Sequence, residues 1–307
     1  MEGLADDVLR AVLTTVGGYD WGVCEFVRVS DTVLPERTYK RICPELLTGS
    51  RTAAGTPVRV QLMGSCPEML AQNARRLVGL QPAGIDLNFG CPAPLVNRHR
   101  GGAALLDEPE LLHRIVVAVR QEVPAEIPFT AKMRLGINDP GRAVECAQAL
   151  AAGGVDELVV HGRTKVDGYR PPARWHWIAR VRESVGVPVI ANGEVWTVAD
   201  CQRIREETGC SDVMLGRGAV ADPLLARRIR GEATGGWAEL KPAIAIFWAG
   251  VRHKVTPAHA PGRIKQWFGL MRRSWPEAEA LYAVLRPLRR AEDIDALLLA
   301  EGYVVPH

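Results

Sequence analysis

The chain has 307 residues, 47% of them hydrophobic, and a formal net charge of +3 at pH 7. This length suits one large α/β domain or two smaller ones, and the hydrophobic content is ordinary for a soluble globular protein. A net charge this small does not by itself indicate a nucleic-acid partner. We find no signal-peptide pattern and no apolar run long enough to span a bilayer, so nothing favours a membrane protein.

Along the chain, short apolar segments typical of β-strands alternate with helical segments whose apolar residues are spaced near 3.6. A helix over Leu4–Val16 comes first, and Glu68–Leu80 and Pro109–Val123 are later examples. The seven predicted strands are Val23–Val29, Val58–Gly64, Gly84–Gly90, Phe129–Leu135, Glu157–Gly162, Pro188–Gly193 and Asp212–Gly216. This alternation predicts a parallel sheet of βαβ units, and we predict a TIM (β/α)8 barrel. A doubly wound open sheet is the competing architecture, but no GxGxxG follows a first strand to favour it.

After Gly235 and Gly236 the alternation stops, and the sequence predicts only helices, over Leu240–Val251, Gly262–Arg273, Pro276–Leu285 and Asp293–Ala300. We therefore predict two domains, a barrel over residues 1–235 and an all-helical domain over residues 236–307. Between Leu240 and Pro276 there are seven Lys or Arg residues and no Asp or Glu. Such a stretch is either a solvated face or a patch that attracts a phosphate backbone.

The helix Gly262–Arg273 has a predicted buried face with apolar residues at i, i+3, i+4 and i+7. Its members are Ile264, Trp267, Phe268 and Met271. Lys265 and Arg272 are seven residues apart, so we expect them to share the opposite face.

Cysteines are scattered at positions 24, 43, 66, 91, 146, 201 and 210. No two of them form a CxxC pair, so the spacing supports no zinc or iron–sulfur site, and we predict no metal. Scattered thiols without a disulfide framework indicate a reducing compartment, which predicts a cytoplasmic protein. Cys91 differs from the others because it lies between Gly90 and Pro92, where a turn should follow a strand. It is either a small buried hydrophobe or a thiol placed for chemistry.

Polar residues stand at the ends of most predicted strands. They are Gln61, Asn88, Cys91, Lys132, Arg134, His161, Arg163, Asn192-Gly193-Glu194 and Gly216-Arg217-Gly218. In a (β/α)8 barrel these ends converge on the catalytic face. Taken alone, Lys132 could pair with a carboxylate and His161 could be a core histidine, but the succession of such ends predicts an active site. The last two of these segments, Asn192–Glu194 and Gly216–Gly218, are rich in glycine, and Arg217 adds a forked cationic donor. They predict a site for a phosphorylated cofactor or substrate.

Five motifs together resemble those of the tRNA-dihydrouridine synthases over almost the whole chain: Leu87–Leu106, Ala131–Gly136, Val159–Thr164, Ala191–Glu194 and Gly216–Gly218. Glu25–Val29 and Arg263–Trp267 are similar to the bacterial C-type branch of that family. The resemblance implies an FMN-bearing barrel followed by a helical tRNA-binding domain. It also implies reduction of uridine 16 in the tRNA D-loop, with NADPH or NADH as the reductant.

The resemblance implies that Cys91 is the general acid that gives a proton to uracil C5. The FMN contacts that it implies are Met1, Glu2, Gln61, Lys132, His161, Asn192, Gly193, Glu194, Gly216 and Arg217. The contacts to the base and the tRNA are Arg28, Asn88, Tyr169, Arg263, Lys265 and Arg272. We expect a monomer, because bound tRNA would cover much of the basic face.

Two features depart from the family pattern. Pro94 stands where family members carry a lysine, and we hypothesise that Arg98 or Arg100 replaces that cation. Only seven strands are predicted, and the family has an apolar strand immediately before the Met-Glu-Gly found here at Met1. Either the barrel closes in another way, or a form with upstream residues binds FMN more tightly than this one. Two other functions remain open: a flavin barrel oxidoreductase for a small pyrimidine metabolite, and a flavin-free RNA-binding homologue.

Overall fold

The computed structural model describes residues 3–93 and 101–304, and all the strands in these ranges are parallel. The strands are β1 (Gly22–Val23), β2 (Val27–Arg28), β3 (Val58–Met63), β4 (Ile85–Phe89), β5 (Phe129–Arg134), β6 (Glu157–His161), β7 (Val189–Asn192) and β8 (Val213–Met214). β1 and β2 both pair with β3, so the predicted strand Val23–Val29 is broken into two short pieces. From β3 to β8 each strand pairs with the next one along the chain.

Helices alternate with these strands, as the TIM-barrel prediction requires. They are α1 (Asp7–Val16), α2 (Glu36–Ile42), α3 (Pro67–Val78), α4 (Pro109–Arg120), α5 (Ala143–Gly153), α6 (Trp175–Ser184), α7 (Val198–Thr208), α8 (Arg217–Ala221) and α9 (Leu225–Ile229). Prolines begin α3 and α4, where a missing N–H costs nothing. Within the described residues β8 pairs only with β7, so β1, β2 and β8 form the edges of the sheet. The prediction of a TIM-type parallel sheet followed by a helical region is confirmed.

Helix α7 begins with a reciprocal cap next to the loop that follows β7. Thr197 Oγ1 accepts the backbone N–H of Asp200, and the Asp200 carboxylate accepts the N–H groups of Thr197 and Trp196. We expect Thr197→Ala to lower the free energy of unfolding by about 1 kcal/mol, because it orphans one of these N–H groups. Urea denaturation checks this value. Thr197→Ser, which keeps the acceptor, should stay near wild type, and equal losses in both variants would contradict the capping role.

Four helices complete the chain: α10 (Trp237–Lys254), α11 (Ala260–Met271), α12 (Pro276–Leu285) and α13 (Ala291–Ala300). The predicted buried face of α11 is confirmed, with Ile264, Trp267, Phe268 and Met271 all at most 1% exposed. The core that these helices form also takes in Leu9 of α1 and Val220 of α8. The Trp267 indole N–H donates to the Val220 carbonyl at 3.0 Å. The helical region therefore packs against the barrel through α1 and α8. None of the described helices is long and apolar enough to cross a membrane.

The basic stretch between Leu240 and Pro276 contains no Asp or Glu, but in the folded chain carboxylates from other segments lie against it. Arg263 pairs with Asp6 at 2.7 Å, and Lys254 pairs with Asp7. Further carboxylates, from Glu279, Glu292 and Asp295, reach the arginines at positions 252 and 272. The sequence reading is corrected here, because the neutralising carboxylates come from helices outside the stretch.

Candidate active site

The predicted strand-end residues come together on one face of the sheet. Register pairs Asn88 of β4 with Lys132 of β5, and pairs Arg134 of β5 with His161 of β6. His161 is in turn beside Asn192 of β7. Because alternate residues of a strand point to the same side, and register partners share that side, these residues line one interior surface. The convergence expected from the sequence is present.

A continuous set of hydrogen bonds lies beneath Cys91. Asp86, which is 1% exposed, accepts from Gln61 Nε2 and from Thr130 Oγ1, both at 2.6 Å. Gln61 Oε1 accepts from Asn88 Nδ2 at 2.7 Å. Asn88 Oδ1 accepts the backbone N–H groups of Gly90 and Cys91, each at 2.9 Å. Asn88 therefore forms the turn that carries Cys91.

Cys91 is partly buried at this turn and packs with Ala93 against a small apolar cluster of Phe26 and Met63. Arg134, buried beneath the turn, donates to the Gly90 carbonyl at 2.8 Å. The backbone on both sides of the Gly90–Cys91 peptide bond is thus held by side chains. A thiol at this position is fixed in place and stands beside an apolar wall that a planar ring could contact.

Two titratable groups near Cys91 have shifted pKa values. Burial first and then the charge of Arg134 lower the pKa of Lys132, to about 8 in all, against the opposing influence of Asp86 and Cys91. Burial raises the pKa of Asp86, while hydrogen bonds from Thr130 and Gln61 pull it down. Perturbed groups of this kind concentrate at functional sites.

The loops after β6, β7 and β8 form the predicted phosphate end of the site. Gly193 has φ +116°, and a Cβ there would lie 2.7 Å from the His161 ring. A Cβ on Gly218 would lie 2.0 Å from the Val195 carbonyl oxygen. Burial lowers the pKa of His161 well below 6.5, so this imidazole is neutral at pH 7. Any side chain at these two glycines would collide with protein atoms, so glycine lets the loops pack closely together here, in a region that we call the cradle.

Alternating arginine and aromatic side chains extend from this cradle. The Arg217 guanidinium carbon lies 4.5 Å from the Tyr169 ring centroid and 5.2 Å from that of Trp196. Arg273, at the end of α11, stacks on Trp196 at 3.7 Å. Within the described residues, neither Arg217 nor Arg273 forms an ion pair, so both can bind anions. Stacking holds each guanidinium in place while leaving its N–H groups available.

Arg163 and Glu194 serve the cradle differently. Arg163 is fully buried and pairs with Glu194, and its guanidinium also donates to the Arg170 carbonyl at 2.7 Å. Glu194 additionally accepts the Trp196 indole N–H at 3.0 Å. The pair ties the loops after β6 and β7 together, so Glu194 is engaged with protein groups as well as being a predicted cofactor contact.

The remaining predicted residues are distributed as follows. Arg28 lies at the end of β2, with its guanidinium 6.0 Å from the Phe26 ring, and so borders the Cys91 cluster. Tyr169 is 53% exposed, and Gly216 precedes α8. Three predicted residues of the helical region contact protein groups away from the loops after β6, β7 and β8. Arg263 pairs with Asp6, Lys265 donates to the Leu288 carbonyl, and Arg272 pairs with Glu279. Met1, Glu2, Pro94, Arg98 and Arg100 lie outside the described residues.

Sequence reasoning did not select Asp86, Trp196 or Arg273 as site residues. Asp86 could have been suspected, since a carboxylate within an apolar strand is rarely buried without a partner. Nothing in the sequence indicates that Arg273 would meet Trp196. In residues 3–93 and 101–304, no three His, Cys, Asp or Glu side chains are grouped so that they could hold a metal ion.

Comparison with known proteins gives a consistent result. The family model described as Dihydrouridine synthase (Dus) matches residues 1–266. A tRNA-dihydrouridine(16) synthase of Aquipseudomonas alcaligenes is 57% identical over 304 residues, covering 97% of this chain and 96% of the relative. A tRNA-dihydrouridine(16) synthase of Cupriavidus necator is 54% identical over 303 residues, covering 97% of this chain and 94% of the relative.

Solved structures share the fold at low sequence identity. Histamine dehydrogenase from Rhizobium sp. 4-9 has a TM-score of 0.56 at 13% identity, covering 80% of this chain and 47% of that one. An amine oxidase for 6-hydroxypseudooxynicotine from Pseudomonas geniculata N1 also has a TM-score of 0.56 at 13% identity, covering 73% and 44%. At such identity the likeness concerns the fold alone.

Proposed function

Because this chain belongs to the dihydrouridine synthase family, we propose that it reduces uridine 16 in the D-loop of tRNA to 5,6-dihydrouridine. Two observations together support this: identity of 57% to a tRNA-dihydrouridine(16) synthase over nearly the full length, and a braced Cys91 at the mouth of the barrel. We place the reaction in the cytoplasm, with FMN as the cofactor and NADPH as the reductant.

The site has two ends that fit FMN. The cradle at Gly193 and Gly218 is the proposed phosphate end, where Arg217 supplies a forked cationic donor with no carboxylate partner among the described residues. Gln61 and Lys132, deeper on the same face, supply an amide and an ammonium for the polar edge of the ring. FMN held there would supply, once reduced by NADPH, a hydride for C6 of the uracil.

The chain itself supplies the proton. Cys91 gives its thiol proton to uracil C5, so the C5–C6 double bond gains one hydrogen at each carbon. A uracil in the D-loop must leave any stack to reach this position, as in enzymes that flip bases. The apolar wall of Phe26 and Met63 beside Cys91 is suited to one face of the extruded base.

Contacts to tRNA involve the helical region together with the barrel rim. Arg273, just after α11, stacks on Trp196 of the barrel loops, and Arg28 borders the Cys91 cluster. Lys265 and Arg272 remain proposed contacts. Each of these side chains already binds a protein group, so it would have to bind the RNA in addition. Contacts of this kind read the shape and backbone of the RNA more than its sequence.

We expect Arg273→Ala to weaken tRNA binding and to lower the slope of log Kd against log salt by about 1, because one phosphate contact is lost. Fluorescence anisotropy at several salt concentrations measures both. The matched control is Arg75→Ala, which removes an exposed arginine paired with Glu122 on the outer face of the barrel. A slope equal to wild type in the Arg273 variant would exclude the phosphate contact.

The test of function is to incubate the protein with FMN, NADPH and unmodified tRNA and to map dihydrouridine by mass spectrometry. Dihydrouridine at position 16 is the expected result. Dihydrouridine at another position would overturn the site of modification while keeping the chemistry. Reoxidation of the reduced flavin by free uridine or orotate, but not by tRNA, would instead identify a small-metabolite oxidoreductase. Parallel assays with NADH test the choice of reductant.

A further inference from the structure

Asp86 is a buried carboxyl group that the proposed reaction does not use. Its side chain lies inside the barrel on β4, and its two oxygens accept from Gln61 and Thr130. Burying a carboxylate is costly even when it is hydrogen-bonded, and an apolar residue would serve better for packing alone. Its position therefore points to a role in the network that leads to Cys91.

A continuous series of hydrogen bonds links Asp86 to the turn that carries Cys91. Gln61 lies between Asp86 and Asn88, and Asn88 lies between Gln61 and the backbone N–H groups of Gly90 and Cys91. Each intermediate link is a side-chain amide, with a donor nitrogen on one side and an acceptor oxygen on the other. The network can therefore transmit an orientation from one end to the other.

The direction of this network is fixed at both of its ends, by Asp86, which only accepts, and by the N–H groups of Gly90 and Cys91, which only donate. An amide can turn by 180° with almost no change of shape, which exchanges its donor and acceptor. A carboxylate only accepts, so Gln61 must present its NH2 to Asp86 and its oxygen to Asn88. Asn88 must then present its NH2 to Gln61 and its oxygen to the turn. If Gln61 were reversed, the Asn88 NH2 would face the N–H groups of Gly90 and Cys91, and donors would oppose donors.

We propose that Asp86 is a positioning residue that orients the amides of Gln61 and Asn88 and thereby holds the turn that carries the Cys91 thiol. The proposal rests on the proposed function only for the role of Cys91 as the acid. In this arrangement Asn88 has one N–H left for the base, and its oxygen is committed to the turn.

The direct test replaces the acceptor with a donor. Asp86→Asn has nearly the same volume but presents an NH2 group where the carboxylate only accepted, so the network is then oriented from the turn alone. Mass spectrometry measures the rate at which iodoacetamide alkylates Cys91 in the full chain, with and without FMN. In Asp86→Asn this rate should differ from wild type by about five-fold, the equivalent of one hydrogen bond. The kcat for tRNA reduction should fall by about 10²-fold, as expected for a misplaced catalytic group, while KM for tRNA stays within about twofold.

A double variant provides the rescue. In Asp86→Asn with Gln61→Glu, the new amide donates to the new carboxylate, which still accepts from Asn88. The network is then again oriented from both ends, so the alkylation rate should return to near wild type. If the single variant does not fold, recovery of folding in the double variant is the expected result. Failure of the double variant to restore either property would overturn the proposal.

Thr130→Val is the matched control, because it removes a hydrogen bond to Asp86 but leaves that group a pure acceptor. Its Cys91 alkylation rate should match wild type. An effect as large as that of Asp86→Asn would indicate general disruption of the barrel interior and overturn the orienting role, as would an Asp86→Asn variant with unchanged alkylation. Because alkylation needs no tRNA reduction, a wild-type protein that forms no dihydrouridine would overturn the proposed function and leave this test intact.

Discussion

Replacing Cys91 with alanine should lower the rate of dihydrouridine formation by about 10²- to 10⁴-fold, the usual contribution of a positioned general acid. The thiol lies on a turn held by Asn88 from one side and by Arg134 from the other, so its removal should leave the turn in place. Binding of FMN and tRNA should therefore stay within about twofold of wild type, since the lost group acts mainly in the transition state. Position-resolved mass spectrometry measures the rate, and flavin fluorescence and anisotropy measure the two affinities.

Cys66→Ala is the matched control, because Cys66 is also partly buried but lies before α3, beside Glu68. It should turn over at the wild-type rate. Cys91→Ser, with a hydroxyl that is a much weaker acid, should be nearly as slow as the alanine variant. Normal turnover in Cys91→Ala would show that the proton comes from elsewhere. Loss of flavin from the variant would show that Cys91 supports the fold of the site instead.

Replacing Lys132 with methionine should weaken FMN binding by about ten-fold or more, the cost of losing a hydrogen bond to a charged group. The same variant should be more stable than wild type without cofactor at pH 7. Lys132 makes no hydrogen bond or ion pair within the described part of the chain, and burial lowers its pKa to about 8. An ammonium kept there at a cost to stability indicates that a ligand uses it.

The pH dependence of this effect has a definite sign. The unfolded chain keeps the Lys132 proton up to about pH 10.5, whereas the folded chain loses it above about pH 8. The penalty on the folded state is therefore fully present below pH 8 and disappears as the pH rises from 8 to 10.5. Below pH 8 the methionine variant should gain about 1 to 3 kcal/mol in free energy of unfolding, and the gain should vanish near pH 10.5.

Denaturation of the cofactor-free protein at several pH values measures this gain. Lys254→Met is the control, because it breaks a surface ion pair with Asp7 and should not stabilise the protein. A stability difference for Lys132→Met that does not change with pH would refute the buried-charge interpretation. Unchanged FMN affinity would refute the role of Lys132 in cofactor binding.

The geometry of the mouth is compatible with the proposed binding of a cofactor and an RNA on one small surface. Trp196 lies between Arg217, which belongs to the cofactor cradle, and Arg273, which belongs to the helical region. The indole N–H is bound to Glu194, so the ring is fixed. Two guanidinium groups thereby lie against the same ring, and within the described residues neither forms an ion pair. Such an arrangement suits two separate phosphates, one from the cofactor and one from the tRNA.

The sequence by itself determined the architecture and predicted which end of the barrel carries the candidate site. Periodicity reports which residues face a core, so the strands, the alternating helices and the buried face of α11 could all be predicted. The turn at Gly90-Cys91-Pro92 and the polar strand ends were readable because a parallel sheet brings the carboxyl ends of its strands together. These features depend on local spacing and on one general rule of topology.

Only the tertiary structure decided which charges remain available and which way the hydrogen bonds run. Arg263 stands in a stretch without acids, yet its partner Asp6 is 257 residues away in the sequence. Asp86 and Thr130 are 44 residues apart, and neither residue type reveals that Gln61 completes their network. Ion pairs and hydrogen bonds depend on distances of a few ångströms between side chains, which local spacing does not encode. For that reason the sequence left open whether the basic stretch is a solvated face or a phosphate-binding patch, and the proposed roles of Asp86 and Arg273 emerge only from the folded chain.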